Sequence, residues 1–128
     1  MERTAVNPVP WSLEMGFNQG EIVSGHSRTL YCSGQAAMSG DGKPQHDGDM
    51  AAQLTLSIDN LEAVLGEAGM SLANLVRLNV YTTDVDDAIR HFPRINERFG
   101  GSRYATSILG VTHLPALFLI MLEATAVD

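Results

Sequence analysis

The sequence predicts a single α+β domain, a mixed β-sheet with two helices on one face, in the order β-β-α-β-α-β-β. Three observations carry this. Leu54, Ile58, Leu61, Leu65 and Ala68 recur at alternating spacings of four and three, which lines one face of a long helix. Leu75 to Thr82 alternates, with Val76, Leu78 and Val80 on one side and Arg77, Asn79 and Tyr81 on the other, as a strand with unequal faces does. Ala116 to Leu122 is apolar at every position, the pattern of a strand buried on both faces. A chain of 128 residues with no shift in composition suits one domain with its own core.

Residues 1–15 contain Pro8 and Pro10 and no period, and are predicted to form an irregular N-terminal arm. Strand signals run from Phe17 through Val23. Ser24 to Ser27 supplies a turn, and Arg28 to Ser33 reads as the second strand of a hairpin. Gly34 to Gly48 is rich in glycine and polar residues and reads as a loop. Asp49 is placed to cap the long helix, and Gly69 to end it in the left-handed conformation.

A second helical region begins at Thr83 or Asp84, with Val85, Ile89, Phe92, Ile95 and Phe99 on one face. Pro93 lacks an N–H and crowds the carbonyl of Ile89, so the helix must kink or restart there. Gly100 and Gly101 end it. Tyr104 to Val111 and Ala116 to Val127 are the closing strands, joined through His113, Leu114 and Pro115. Two helices cover one face of such a sheet, and an apolar last strand asks for a second layer. Another copy of the same chain is the simplest source.

Acidic residues outnumber basic ones by 15 to 8, for a net charge of −7, and the basic residues are scattered. Arg90, Arg94 and Arg98 could share a helix face, but Asp84, Asp86, Asp87 and Glu97 surround them. This balance argues against nucleic-acid binding, which needs clustered cations. Cys32 is the only cysteine, so no intrachain disulfide forms. The N-terminus has no secretory pattern, and the apolar run Leu114 to Leu122 is too short to span a bilayer and holds Pro115. The chain reads as a soluble, cytoplasmic protein.

Several short motifs, in order and spacing, resemble the Rid (YjgF-like) family over nearly the whole chain. They are Phe17-Asn18-Gln19, Ser33-Gly34-Gln35, Asp59 to Leu65 followed by Glu67-Ala68-Gly69, Val80 to Asp84, and Leu114-Pro115 with Leu122-Glu123-Ala124. The resemblance implies a chorismate-mutase-like fold and a homotrimer with small-molecule clefts between subunits. It implies hydrolysis of reactive imines or enamines to a ketoacid and ammonia, with no metal and no cofactor. In the family pattern an arginine ahead of Leu-Pro clamps the substrate carboxylate. A glutamate on the last strand and backbone groups near the Ser-Gly turn then position the imine and the attacking water.

This sequence departs from that pattern. Counting back from Leu114-Pro115, the arginine position is Thr106, followed by Ser107 and Ile108; the glutamate position is Met121, and Phe17 stands for the tyrosine. The resemblance thus implies a ligand site of Phe17, Ser33, Gly34, Thr106, Ser107, Ile108 and Met121, with Thr106 and Glu123 as the candidate catalytic groups. Arg103 is three positions from Thr106: it faces away on a continuous strand, or reaches the cleft if it precedes the strand. Glu123 is either a paired structural carboxylate or a proton-transfer group with a raised pKa.

The remaining candidates have structural readings beside the chemical ones. Cys32 is a small core residue or, with His26 as base, a nucleophile. The four histidines lack metal-ligand spacing; His46, Asp47 and Asp49 form a polar loop or hold a cation. His113 could rim the cleft. Met38, Met121, Phe17, Ile108 and Leu119 would make it apolar, favouring a ligand less anionic than a ketoacid imine. Three functions follow, in descending order of support: an imine or enamine hydrolase of altered specificity, a non-catalytic trimer that binds a small ligand or protein, and a ribonuclease or translation inhibitor.

Overall fold

A computed structural model describes all 128 residues. The chain forms β1 (Glu2–Val6), α1 (Trp11–Glu14), β2 (Gly20–Ser24), β3 (Thr29–Gln35), α2 (Met50–Glu67), β4 (Leu75–Thr82), α3 (Val85–Arg90), α4 (Phe92–Phe99), β5 (Ala105–Gly110) and β6 (Ile120–Val127). The single α+β domain with a mixed sheet is the expected class, and β3 to β6 form one sheet in the order β3-β6-β4-β5. Strand β4 pairs antiparallel with β6 and parallel with β5. A parallel neighbour needs a crossover, which α3 and α4 provide.

Three expectations are corrected. Residues 1–15 are not irregular: they hold β1 and α1. Arg3 explains why this arm is ordered, because its guanidinium pairs with Glu21 and donates to the carbonyls of Ala73 (2.6 Å), Leu75 (2.7 Å) and Arg103 (3.1 Å). A planar fork that spends its donors this way ties the arm to the main sheet.

The predicted hairpin between the second and third strands does not form. Strand β2 pairs with β1, from Glu2↔Ser24 to Val6↔Gly20, whereas β3 pairs with β6. Finally, the last strand begins at Ile120, not Ala116. Residues Pro115–Leu117 form a tight turn in which Ala116 (φ 53°) and Leu117 (φ 58°) are left-handed and Leu117 is 76% exposed. Strand β6 itself alternates: Leu122, Ala124 and Ala126 are buried, while Met121, Glu123 and Thr125 are half-buried.

The helices cover one sheet face. Leu54, Ile58, Leu61 and Leu65 of α2 are fully buried against Leu78, Val80, Leu122, Ala124 and Ala126. Each such side chain contributes about 1.5–3 kcal/mol by leaving water. A bulge at Val76 turns Leu75, rather than Val76, into this core. Asp49 caps α2 as expected, accepting from Ala52 N at 3.0 Å, and Gly69 (φ 74°) follows its last turn. The second helical region restarts at Phe92, with Pro93 in its first turn where no donor is needed.

Polar residues of α2 fix two loops to the core. Gln53, 1% exposed, accepts from Leu119 N (2.8 Å) and donates to the His46 carbonyl (3.0 Å). Asn60 donates to the carbonyls of Ala36 (2.8 Å) and Met38 (2.9 Å). Replacing Gln53 by Leu leaves Leu119 N and the His46 carbonyl without partners. Urea denaturation of Gln53→Leu is expected to show a loss of about 1–3 kcal/mol; an unchanged midpoint would mean that water replaces the side chain.

Candidate functional site

The face of the sheet turned away from the helices is largely uncovered and polar. Its side chains are Arg77, Asn79 and Tyr81 from β4 and Met121, Glu123 and Thr125 from β6, with Ser107 and Leu109 from β5 and Tyr31 from β3. Tyr31 is 79% exposed. The period-two alternation that buries Leu78 and Val80 delivers these residues to the other side.

Glu123 is the centre of a hydrogen-bond network here. Its Oε1 accepts from Asn79 Nδ2 at 3.1 Å and from the Tyr81 hydroxyl at 2.9 Å. The Asn79 amide, then the Tyr81 hydroxyl and more weakly the Arg77 charge, hold the Glu123 carboxyl below the usual carboxylate range, with partial burial opposing them. The same bond pushes the Tyr81 phenol up. Of the two readings of Glu123, the structure therefore has the paired carboxylate; a raised pKa is corrected.

The structure separates the expected site residues. Thr106 and Ile108 align with Leu78 and Val80, on the helix-covered side, and Ile108 packs on the core. Thr106 donates its hydroxyl to the Leu78 carbonyl at 2.5 Å. Ser107 lies on the open face, where its Oγ accepts from Arg77 Nη2 at 3.3 Å. Thr106 and Glu123 are thus on opposite faces of one chain, two strands apart.

Ser33 and Gly34 form a bulge with no register partner on β6. A Cβ at Gly34 would fall 2.3 Å from Met121 Sδ, so a larger residue there would have to displace the Met121 side chain. Met121 joins Ala36, Ala37, Leu114, Phe118, Met38 and Tyr81 in a small second cluster. Phe17 stacks edge-on against Trp11, with ring centroids 5.6 Å apart. Arg103 is exposed and donates to the Leu13 carbonyl at 3.4 Å, beside Gly16 and Asn96.

The other candidates take structural roles. Cys32 is buried in the core, and burial pushes its thiol up. Asp49 serves as helix cap and the His46 carbonyl serves Gln53. No group of three His, Cys, Asp or Glu side chains is placed to hold a metal, and no helix is long and apolar enough to cross a membrane. Sequence reasoning missed Arg77, Asn79 and Tyr81 as partners of Glu123. Their alternation marks their face, but only the β4–β6 register aligns Asn79 with Glu123 and brings Tyr81 within reach of the same carboxylate.

A folded-state pKa below the unfolded one means that Glu123 stabilises the fold above its unfolded pKa. That contribution is lost as pH falls through the folded value. Carboxyl-carbon NMR is expected to show a depressed Glu123 midpoint that rises in Tyr81→Phe, with a smaller loss of stability in acid. An unchanged midpoint would mean that the Tyr81 bond is absent.

Comparison with known proteins places this geometry in a family. Residues 13–128 match the family model described as Endoribonuclease L-PSP. A RutC family protein of Pyrococcus abyssi is 33% identical over 97 residues, 76% of each chain. The 2-iminobutanoate/2-iminopropanoate deaminase of rat is 32% identical over 116 residues, 88% of this chain and 80% of the enzyme. The crystal structure of YyfB, a conserved Rid-family protein of Yersinia pestis, superposes over the whole of both chains with a TM-score of 0.90 at 30% identity. The motif match, the element order and these relatives agree: the chain belongs to the Rid (YjgF/RutC-like) family.

Proposed function

We propose that the protein is a cofactor-independent imine or enamine hydrolase whose substrates carry less negative charge than ketoacid imines. It acts as a homotrimer with clefts between copies. The observation that carries this is the state of Thr106. At the position where the family resemblance implies a carboxylate-clamping arginine, Thr106 has no charge and spends its hydroxyl on the Leu78 carbonyl. Arg103, the nearest substitute in sequence, is held by the Leu13 carbonyl instead. A carboxylate brought there would lose water without gaining a cation.

The reaction itself needs little from the protein. Water adds to the imine carbon, a proton moves to nitrogen, and the carbinolamine expels ammonia to leave a carbonyl. The bulge at Ser33 and Gly34 offers backbone groups outside the ladder for holding the imine and the water. Thr106 and Met121 lie on opposite faces of one chain, which suits a cleft that draws Phe17, Thr106 and Ile108 from one copy and Ser33, Gly34 and Met121 from another, with Ser107 on the Met121 face. The relative named 2-iminobutanoate/2-iminopropanoate deaminase supports the reaction class.

A second reading, a trimer that binds a ligand without turning it over, is favoured by one observation. Thr106 Oγ1 and Glu123 Oε1 already make their hydrogen bonds within the chain. The experiment is imine hydrolysis by the parent and by Thr106→Arg, with imines made from α-amino acids and from carboxylate-free amines. The parent is expected to prefer the carboxylate-free imine. Thr106→Arg should raise kcat/KM for the carboxylated one about tenfold or more, the worth of a charge-assisted pair. A parent that matches or exceeds the variant on carboxylated imines would overturn the role given to Thr106. A parent inactive on both would favour the binding reading.

A further inference from the structure

Trp11 is the chain's one tryptophan, and it packs against Phe17, the residue at the family's tyrosine position. The ring centroids are 5.6 Å apart and the planes cross at 79°, an edge-to-face pair. Phe17 is in turn fixed beside β5. Asn18, the next residue, donates its N–H to the Tyr104 carbonyl at 2.9 Å and bridges to Ala105, the neighbour of Thr106. Two aromatic rings therefore stand at the end of the strand that carries Thr106.

Polar contacts hold the turn that presents Trp11. Asn7 accepts from Gln19 N at 2.8 Å and from Ser12 Oγ at 3.4 Å, and donates to Asn18 Oδ1 at 3.1 Å. Ser12 is fully buried, and its carbonyl accepts from Phe17 N at 3.2 Å. Pro8 and Pro10 stiffen the approach to the turn. Trp11 itself keeps 54% of its surface uncovered by its own chain. A large ring on a turn tied in this way is in position before any ligand arrives.

The chemistry at Thr106 asks for such a ring. Thr106 has no charge and spends its hydroxyl on the Leu78 carbonyl, so a ligand gains no charge-assisted pair there. Phe17 lacks the hydroxyl that a tyrosine would offer. Affinity then has to come from apolar contact away from the reacting atoms.

We propose that Trp11 sets the substrate class: with Phe17 it forms an aromatic corner at the rim of the cleft, which holds an aryl substituent of a carboxylate-free imine. This rests on the hydrolase reading and its cleft between copies. A flat ring lies parallel to one member of an edge-to-face pair and edge-on to the other. A puckered aliphatic ring of similar size makes neither contact as well.

The test uses the full chain with benzylacetone, the ketone that hydrolysis of such an imine releases, beside its cyclohexyl counterpart. Excitation at the red edge of the absorption band selects Trp11 over the tyrosines. Benzylacetone is expected to shift Trp11 emission saturably, at one site per chain, and to bind about threefold or more tightly than the cyclohexyl ketone. Imines of the two ketones are then made by oxidising the corresponding amines, and the ratio of their kcat/KM values is compared. Trp11→Leu should lower the aryl-to-cyclohexyl ratio about threefold or more, and Trp11→Phe, which keeps a ring, should restore most of it. The emission titration needs no variant, so a misfolded Trp11→Leu does not remove the test. No saturable emission change, equal affinity for the two ketones, or an unchanged ratio in Trp11→Leu would each overturn the proposal. So would emission that responds to dilution into monomers and to neither ketone, because a neighbouring copy would then cover the ring. A saturable response selective for the aryl ketone, without turnover of either imine, would support the aromatic corner and overturn the hydrolase reading instead.

Discussion

A sheet has two faces, and this chain supplies apolar helices for one. Leu54, Ile58, Leu61 and Leu65 fill the space above β4 and β6, whereas below only a small cluster around Leu114 and Phe118 packs against Tyr81 and Met121. The period of two along each strand turns that imbalance into chemistry. Whatever is not needed for the core, namely Arg77, Asn79, Tyr81, Glu123 and Thr125, collects on the open side. The same constraint accounts for the anchoring of the loops. With a single helical layer, α2 must also hold the segments at both of its flanks, and Gln53 and Asn60 do so from within it.

Family likeness and local chemistry meet at β5. The likeness gives a fold and a reaction class, while side chains decide what either is used for. Thr106 is committed to the Leu78 carbonyl on the covered side, and Glu123 to Asn79 and Tyr81 on the other. One chain therefore does not assemble the two candidate catalytic groups into one pocket. The proposed clefts between copies resolve this, because an interface can combine opposite faces of neighbouring subunits. The close approach of Met121 to Gly34 adds to the apolar character at the β3 bulge.

Much of the fold was legible in the sequence where one local signal dominates. The four-three spacing marked α2, its cap Asp49 and its end at Gly69, and Pro93 marked the restart at α4. The failures share a cause: long-range partners. Nothing near Arg3 in sequence tells that its guanidinium will find the carbonyls of Ala73, Leu75 and Arg103, so the arm reads as irregular. Strand β2 looks like the partner of β3 because a turn joins them, yet each pairs with a strand elsewhere in the chain. Ala116 to Phe118 looks like strand because it is apolar; Gln53 instead pins the backbone at Leu119, and two left-handed residues turn it. At the site, the departures at Thr106 and Met121 were readable, whereas the Asn79–Glu123 alignment required the register.

The proposed assembly of copies would cover the open face and let Thr106 of one copy meet Glu123 of another. Sedimentation equilibrium of the purified chain tests it most directly. The account predicts a single species of three times the 13.8 kDa chain mass, persisting on dilution. A stable monomer would contradict it, because clefts between copies would not exist.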